Sequence, residues 1–186
     1  VRALSRGAAA AGCWLDTGEG GLSPYHLEGG CDVIMQIGTA KYGVRDEDGR
    51  LSAQRLKELA AHETVRAFEI KLSQGAKPGK GGVLLGGKVT AEIAAIRGIP
   101  EGQDSISPNR HRDISTADEL IEKIATVREL TGKPVGIKTA IGGWHFMNEL
   151  CEAVARRGMA FAPDFIAVDG GEGGSGAAPQ ALADHM

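Results

Sequence analysis

Short apolar runs alternate with helical stretches along this chain, and that order limits it to a few folds. The runs are residues 32–37, 67–71, 105–107, 134–138 and 164–168. Between them, residues 52–61, 90–97, 117–130 and 146–157 carry apolar side chains at i, i+3 and i+4, the spacing of one helical face. Ser52 and Thr90 stand where N-caps belong, and Gly132 with Pro134 just beyond it reads as a helix stop. Strand–helix alternation predicts a parallel sheet with helices on its faces. A doubly wound sheet and a (β/α)8 barrel both satisfy that pattern, and the polar residues favour the barrel. Gln36, Lys71, Ser107, Lys138 and Asp169 fall at or just after the C-terminal ends of successive runs, where barrel enzymes assemble their sites. Five strands do not close eight, and a complete barrel takes about 250 residues. Residues 1–186 are therefore expected to be one partial domain, an incomplete barrel holding about strands 2–6.

Composition narrows the partners. Hydrophobic residues at 42% and charged residues at 24% give the balance of a globular protein that works in water. A net charge of -3 offers no footprint for nucleic acid. No apolar run approaches the ~20 residues of a membrane span, and residues 1–12 lack the layout of a signal peptide. Cys13, Cys31 and Cys151 form no CxxC pair and read as reduced thiols, so a cytoplasmic setting is expected. Five histidines without HxH or HExxH spacing leave no metal site in this segment. His111, in the polar run 107–113, is the one histidine placed to meet a ligand.

Glycine carries the next signal: 28 of 186 residues, about twice the usual share, clustered at 18–21, 79–87 and 170–176. Clustered glycine marks loops where a ligand can approach the backbone. The loop 71–82 sets Lys71, Lys77 and Lys80 among glycines and prolines, a combination suited to an anion and equally to a solvated loop. The run 168–176 closes another strand and offers unshielded amides to a flat cofactor or a phosphate. It lacks the Gly-Lys-Ser/Thr of a Walker loop and fits a dinucleotide fingerprint poorly.

Taken together, the stretches TGEGGLSPYHLEGG (17–30), MQIGTAKYG (35–43), EIKLSQGAKPGKGG (69–82), KVTAEIAAIRGIP (88–100), DSISPNRHRDI (104–114), GKPVGIK (132–138) and PDFIAVDGGEGGSGAAP (163–179) carry a resemblance. The chain resembles the FMN-binding domain of glutamate synthases, in particular the shorter stand-alone bacterial proteins of that family. The resemblance implies an oxidoreductase in which 2-oxoglutarate and ammonia condense to 2-iminoglutarate and FMN delivers a hydride to give glutamate. It implies ammonia from a glutaminase domain or subunit, and electrons through a 3Fe-4S cluster from an electron-donor subunit or ferredoxin. The cluster is expected only in the full-length protein, because no cysteine here matches its ligands.

By the same resemblance Glu19 and Lys71 are catalytic: Glu19 lies near the ammonia exit, and Lys71, Lys77 and Arg97 surround 2-oxoglutarate. Lys138 stands beside the flavin N1/O2 edge, Gln36 meets its pyrimidine edge, and Asp169, Gly170, Gly171, Gly173 and Gly174 pack along the cofactor. Leu84-Leu85-Gly86 departs from the family's Leu-Pro-Gly step, and Val83 replaces a polar residue. Two other readings follow: a methylglutamate synthase-like subunit that uses methylamine, or a non-catalytic barrel scaffold. The first barrel strand is expected before Val1, with residues 3–5 in the loop after it. The last strands and the cluster cysteines are expected beyond Met186.

Overall fold

A computed structural model describes residues 1–171, 173 and 178–183. Among these, five strands form one curled, all-parallel sheet in the order β1 (Leu15–Asp16), β2 (Val33–Ile37), β3 (Val65–Lys71), β6 (Val135–Thr139), β7 (Ile166–Val168). The result is a half-barrel, the incomplete barrel expected from the sequence. Parallel strands are buried on both faces, so β2 reads as a nearly unbroken apolar run, while β3 sets Arg66, Glu69 and Lys71 among apolar residues. Period-2 alternation then sorts their side chains. Val33, Met35, Ile37, Phe68, Ile70, Val135 and Ile137 enter the core beneath the helices. The alternate positions Gln36, Glu69, Lys71 and Lys138 face the concave side.

Three helices cover the convex face. Leu56 of α3 (Ala53–Ala60), Leu120, Ile121, Ile124 and Val127 of α5 (Ala117–Thr131), and Leu150 and Ala153 of α6 (Trp144–Arg157) are buried in the core. Their starts follow from capping chemistry. The Ser52 hydroxyl accepts from the Arg55 amide, and Thr116 forms a capping box with Glu119. Gly132 ends α5 at φ 65, a left-handed turn open to glycine at no steric cost. Arg128 ties α5 to the approach of β7 by donating to the carbonyls of Ala160 and Ala162 and to the Asp164 carboxylate.

Two expectations from the sequence need correcting. Residues 105–107 do not join the barrel sheet: β5 (Ser105–Ile106) pairs antiparallel with β4 (Val83–Leu84) in a separate ribbon. Ser-Ile-Ser holds a single apolar side chain, and Ile106 is exposed, so it lacks the apolar run a buried parallel strand needs. The ribbon and α4 (Ala91–Arg97) form an excursion between β3 and α5. The fifth sheet strand is instead β1, two residues beside β2. Residues 3–5 lie not in a loop but in α1 (Arg2–Ala11), where an alanine-rich sequence favours helix. Two short helices, α2 (Pro24–Leu27) and α7 (Gln180–Ala183), and two 3-10 turns, Gly86–Lys88 and Met159–Phe161, complete the described elements. Among the described residues no helix is long and apolar enough to cross a membrane.

Candidate functional site

Strand register decides which polar side chains meet. Gln36 lies opposite Glu69, and Lys71 opposite Lys138, so three adjacent strands bring four polar groups to one end of the concave face. The loops after β1 and β7 add Glu19 and Asp169. A cavity of about 350 Å³ is lined by Asp16, Glu19, Gln36, Lys71, Gln74, Lys138 and Asp169, among others.

The first cluster centres on Lys71, whose side chain is 13% exposed. Its Nζ donates to Glu19 Oε2 at 2.9 Å and to Gln74 Oε1 at 2.7 Å. Ser107 Oγ donates to the other Glu19 oxygen at 3.2 Å. Burial alone would raise the Glu19 pKa. The Lys71 charge and hydrogen bond, the Ser107 hydroxyl and the more distant Lys77 charge outweigh it, and Glu19 is held below its ordinary value. Gly38 is required here, because a Cβ on it would lie 2.9 Å from the Glu19 Cβ.

The second cluster joins Lys138 to Asp169, with Nζ 3.1 Å from Oδ1. The other Asp169 oxygen accepts from the Gly75 amide at 2.7 Å, which draws the loop after β3 over the end of β7. A side chain at Gly75 would strike the Gly170 carbonyl, at 1.6 Å from a Cβ there. The Gly173 amide donates to Gly170, and the Gly173 carbonyl accepts from Ala76. Gly170, Gly171 and Gly173 thus pack beside Asp169 and the loop, while Gly174 lies outside the described residues.

A third cluster escapes sequence reasoning. Asp16 of β1 and Glu69 of β3 flank Gln36 of β2, whose Nε2 donates to both, at 3.2 Å and 2.8 Å. Asp16 Oδ1 also accepts from the Gly18 amide at 2.6 Å, while its Oδ2 is buried with no donor. Burial raises Asp16, and burial with the neighbouring Asp16 charge pushes Glu69 up to about 7. The one available signal was a glutamate inside the apolar strand 67–71, where an ionised group is costly. Asp16 gave none, because β1 is too short to show a pattern.

Two predicted residues lie apart from the cavity lining. Arg97 donates from Nη1 to Ser105 Oγ at 3.1 Å and stacks over Tyr42, with its guanidinium beside Gly20. Lys77 is half-buried and acts on Glu19 through its charge. His111 is buried and its Nε2 donates to the Lys71 carbonyl at 2.9 Å, so it braces the end of β3. Burial lowers its pKa and keeps the ring neutral. Close by, Asp113 accepts from Lys41 at 2.9 Å and Lys123 at 2.8 Å. Partial burial opposes its ionisation, but these two ammonium groups pull it far below the ordinary carboxylate range. Among the described residues no group of His, Cys, Asp and Glu is arranged to hold a metal ion.

Comparison with known proteins bears on the whole chain. Residues 1–186 match the family described as a conserved region in glutamate synthase. The glutamate synthase large subunit-like protein YerD of Bacillus subtilis (strain 168) is 44% identical over 187 residues, covering 100% of this chain and 35% of that protein. An archaeal-type glutamate synthase (NADPH) of Thermotoga maritima is 38% identical over 188 residues, 100% of this chain and 33% of the relative. A glutamate synthase large subunit-like protein of Rhizobium meliloti (strain 1021) is 32% identical over 186 residues, 99% of this chain and 38% of the relative. The chain thus spans about a third of the length of the curated relatives it matches.

Proposed function

We propose, starting from the fact that this chain belongs to the glutamate synthase family, that its half-barrel is the FMN-binding part of an oxidoreductase. The proposed reaction is reductive amination of 2-oxoglutarate to glutamate through 2-iminoglutarate. The observation that carries this reading is the Lys71–Glu19 pair, a half-buried cation and an ionised acid 2.9 Å apart on one cavity wall. An oxo acid needs a cation for its carboxylate, and an incoming amine needs an acceptor for its proton. Lys71 and Lys77 supply charge for the dianion, and Arg97, beside Gly20, extends that surface. Glu19, held ionised, binds ammonium or takes its proton.

The donor set fits a flavin. Lys138 offers an ammonium group to an anionic ring edge, and Asp16 Oδ2 is a buried acceptor without a donor. Gln36, Lys138 and Asp169 would hold FMN, with Gly170, Gly171, Gly173 and Gly174 along it. When bound, FMN supplies the hydride that reduces the imine. Lys138 stabilises negative charge at the ring edge, and the loop 71–82 screens the cavity from water. A 3Fe-4S cluster, a glutaminase domain or subunit as the ammonia source, and an electron-donor subunit or ferredoxin belong to the same proposal. Relatives named glutamate synthase (NADPH) support a pyridine nucleotide as the ultimate electron source. The cytoplasm is the proposed location.

The test uses the intact protein that carries this segment. Glutamate formation from 2-oxoglutarate and ammonium is followed anaerobically with reduced enzyme, for wild type and Lys71→Met. Loss of about a hundredfold or more in rate with FMN content unchanged is expected, since breaking one partner of a buried pair costs roughly 2–5 kcal/mol. Equal rates in the two proteins would remove Lys71 and Glu19 from the chemistry.

A further inference from the structure

Asp16 and Gln36 enter the scheme above only as groups facing the flavin and Glu69 not at all, yet the three form one cluster on the concave face. We propose that Asp16 and Glu69 hold a single proton between them, and that this proton sets the charge Lys138 presents to an anion bound in the cavity.

Three observations lead there. The first is a shortage of donors. One amide nitrogen, Gln36 Nε2, serves both carboxyl groups, and Gln36 is itself only 2% exposed. Asp16 Oδ2 has no donor, and Glu69 is 4% exposed. An ionised oxygen buried without a donor carries the full cost of desolvation. A proton shared between Glu69 and Asp16 removes that cost, and the two carboxyl groups flank the same Gln36 nitrogen, at 2.8 Å and 3.2 Å.

The second is the shortage of cations. Lys138 and Lys71 are the ammonium groups whose charge reaches Asp16, and Lys138 also reaches Glu69. Each is already bonded to another acid, Lys138 to Asp169 and Lys71 to Glu19. Lys77 acts toward Glu19. Asp32 and Arg66, at the far end of the concave face, pair with each other at 3.7 Å. His26, on the cavity wall, accepts the Ser23 amide at Nδ1, and burial lowers its pKa, so it adds no charge. Two adjacent buried acids with no cation of their own behave as a pair that cannot both ionise.

The third is position. The cavity that Asp16 and Gln36 line is the one that holds Lys138 and Lys71. With its proton, the pair carries one negative charge. Without it, the pair carries two, and the field of Lys138 is spent inward on them. Anion binding therefore favours the protonated pair and takes up a proton when the pH is near or above its titration. Asp16 and Glu69 act through Lys138, as positioning residues.

The experiment has two arms, both on the intact protein. Without ligand, infrared spectra in H2O and D2O at pH 6 should show a protonated-carboxyl band that disappears in both Asp16→Asn and Glu69→Gln. Either variant replaces the neighbouring carboxylate with a neutral amide that can donate, so the remaining acid is expected to ionise at pH 6 despite its burial. No such band in wild type, or its survival in both variants, overturns the shared proton. In the second arm, 2-oxoglutarate is titrated calorimetrically at pH 6 and pH 8 in buffers of different ionisation enthalpy. Wild type should bind about tenfold more weakly at pH 8, the effect of one pKa unit of coupling, with proton uptake. Both amide variants should bind with no pH dependence. A merely structural role would weaken binding equally at both pH values, and that result, or a pH-independent wild type, overturns the link to Lys138. This arm rests on the cavity taking an oxo acid. Absence of binding at either pH removes that function instead, and the infrared arm still decides the proton.

Discussion

Glu19 and Glu69 are glutamates on the same concave wall, both largely withdrawn from water, and their acidities move in opposite directions. Burial pushes each one up. At Glu19 an ammonium group donates at 2.9 Å and a hydroxyl at 3.2 Å, and the acid stays ionised. At Glu69 the near charge is another carboxylate and the one donor is a shared amide, and the pKa rises to about 7. Depth is therefore not the variable that decides protonation here; the identity of the nearest charge is. A single strand, β3, carries both outcomes two residues apart, in Glu69 and in Lys71, the partner of Glu19.

The sharpest way to break this comparison is to take the cation from Glu19. Lys71→Met should leave burial opposed only by the Ser107 hydroxyl and the more distant Lys77 charge, so that Glu19 titrates higher than in wild type. Carboxyl-carbon NMR of the variant reads that shift, alongside the hundredfold loss of rate. A Glu19 that still titrates low would mean the loop, not Lys71, sets its charge.

Asp113 extends the comparison to an acid with two cations. Asp113→Asn leaves the buried Lys41 without a counter-charge and should cost about 3 kcal/mol in urea unfolding. A cost below ~1 kcal/mol would class the pair with surface bridges. Wild-type Asp113 has a depressed pKa, so its contribution is present above the ordinary carboxylate range and lost as the pH falls through its folded value.

Glu69 should show the reverse sign. Its raised pKa stabilises the folded state below the unfolded value near 4.5, and the contribution fades as the pH rises to about 7. Glu69→Gln should remove that decline, a difference on the order of 2–3 kcal/mol between pH 4.5 and 8. Parallel stability curves for the two proteins would contradict it.

Smaller effects test the proposed ligands. Lys138→Met should lower the flavin potential of the intact protein by roughly 20–65 mV, from a charge loss of ~1–3 kcal/mol. Redox titration with full FMN occupancy is the measurement, and an unshifted potential leaves Lys138 to Asp169 alone. Arg97→Ala should raise the KM for 2-oxoglutarate about tenfold. A KM that does not move would confine Arg97 to Ser105 and Tyr42.

Much of this architecture could be read from residue order. β2, β3, β6 and β7 and the helices α3, α4, α5 and α6 all follow from apolar spacing and caps, because each has enough residues to display a period. β1 does not, since two residues cannot show alternation, and β5 was misplaced because a strand-like triplet need not join the main sheet. The site divides the same way. Lys71, Lys138, Gln36 and Asp169 are visible as polar strand ends, which one strand reveals by itself. The Asp16–Glu69 pair needs three strands in register, and no linear pattern records which acid lies across from which.

Residues 83–106 leave the sheet after β3 and return without adding a strand to it, and the Ser107 amide closes their base on the Gly82 carbonyl at 2.9 Å. A segment whose ends already touch can be lengthened, shortened or rewritten at little entropic cost. It is a replaceable cassette. It carries Arg97 and hands Ser107 to Glu19, while β3, α5 and the core keep their places beneath it. The segment can therefore be rewritten between lineages while the half-barrel beneath it is inherited unchanged.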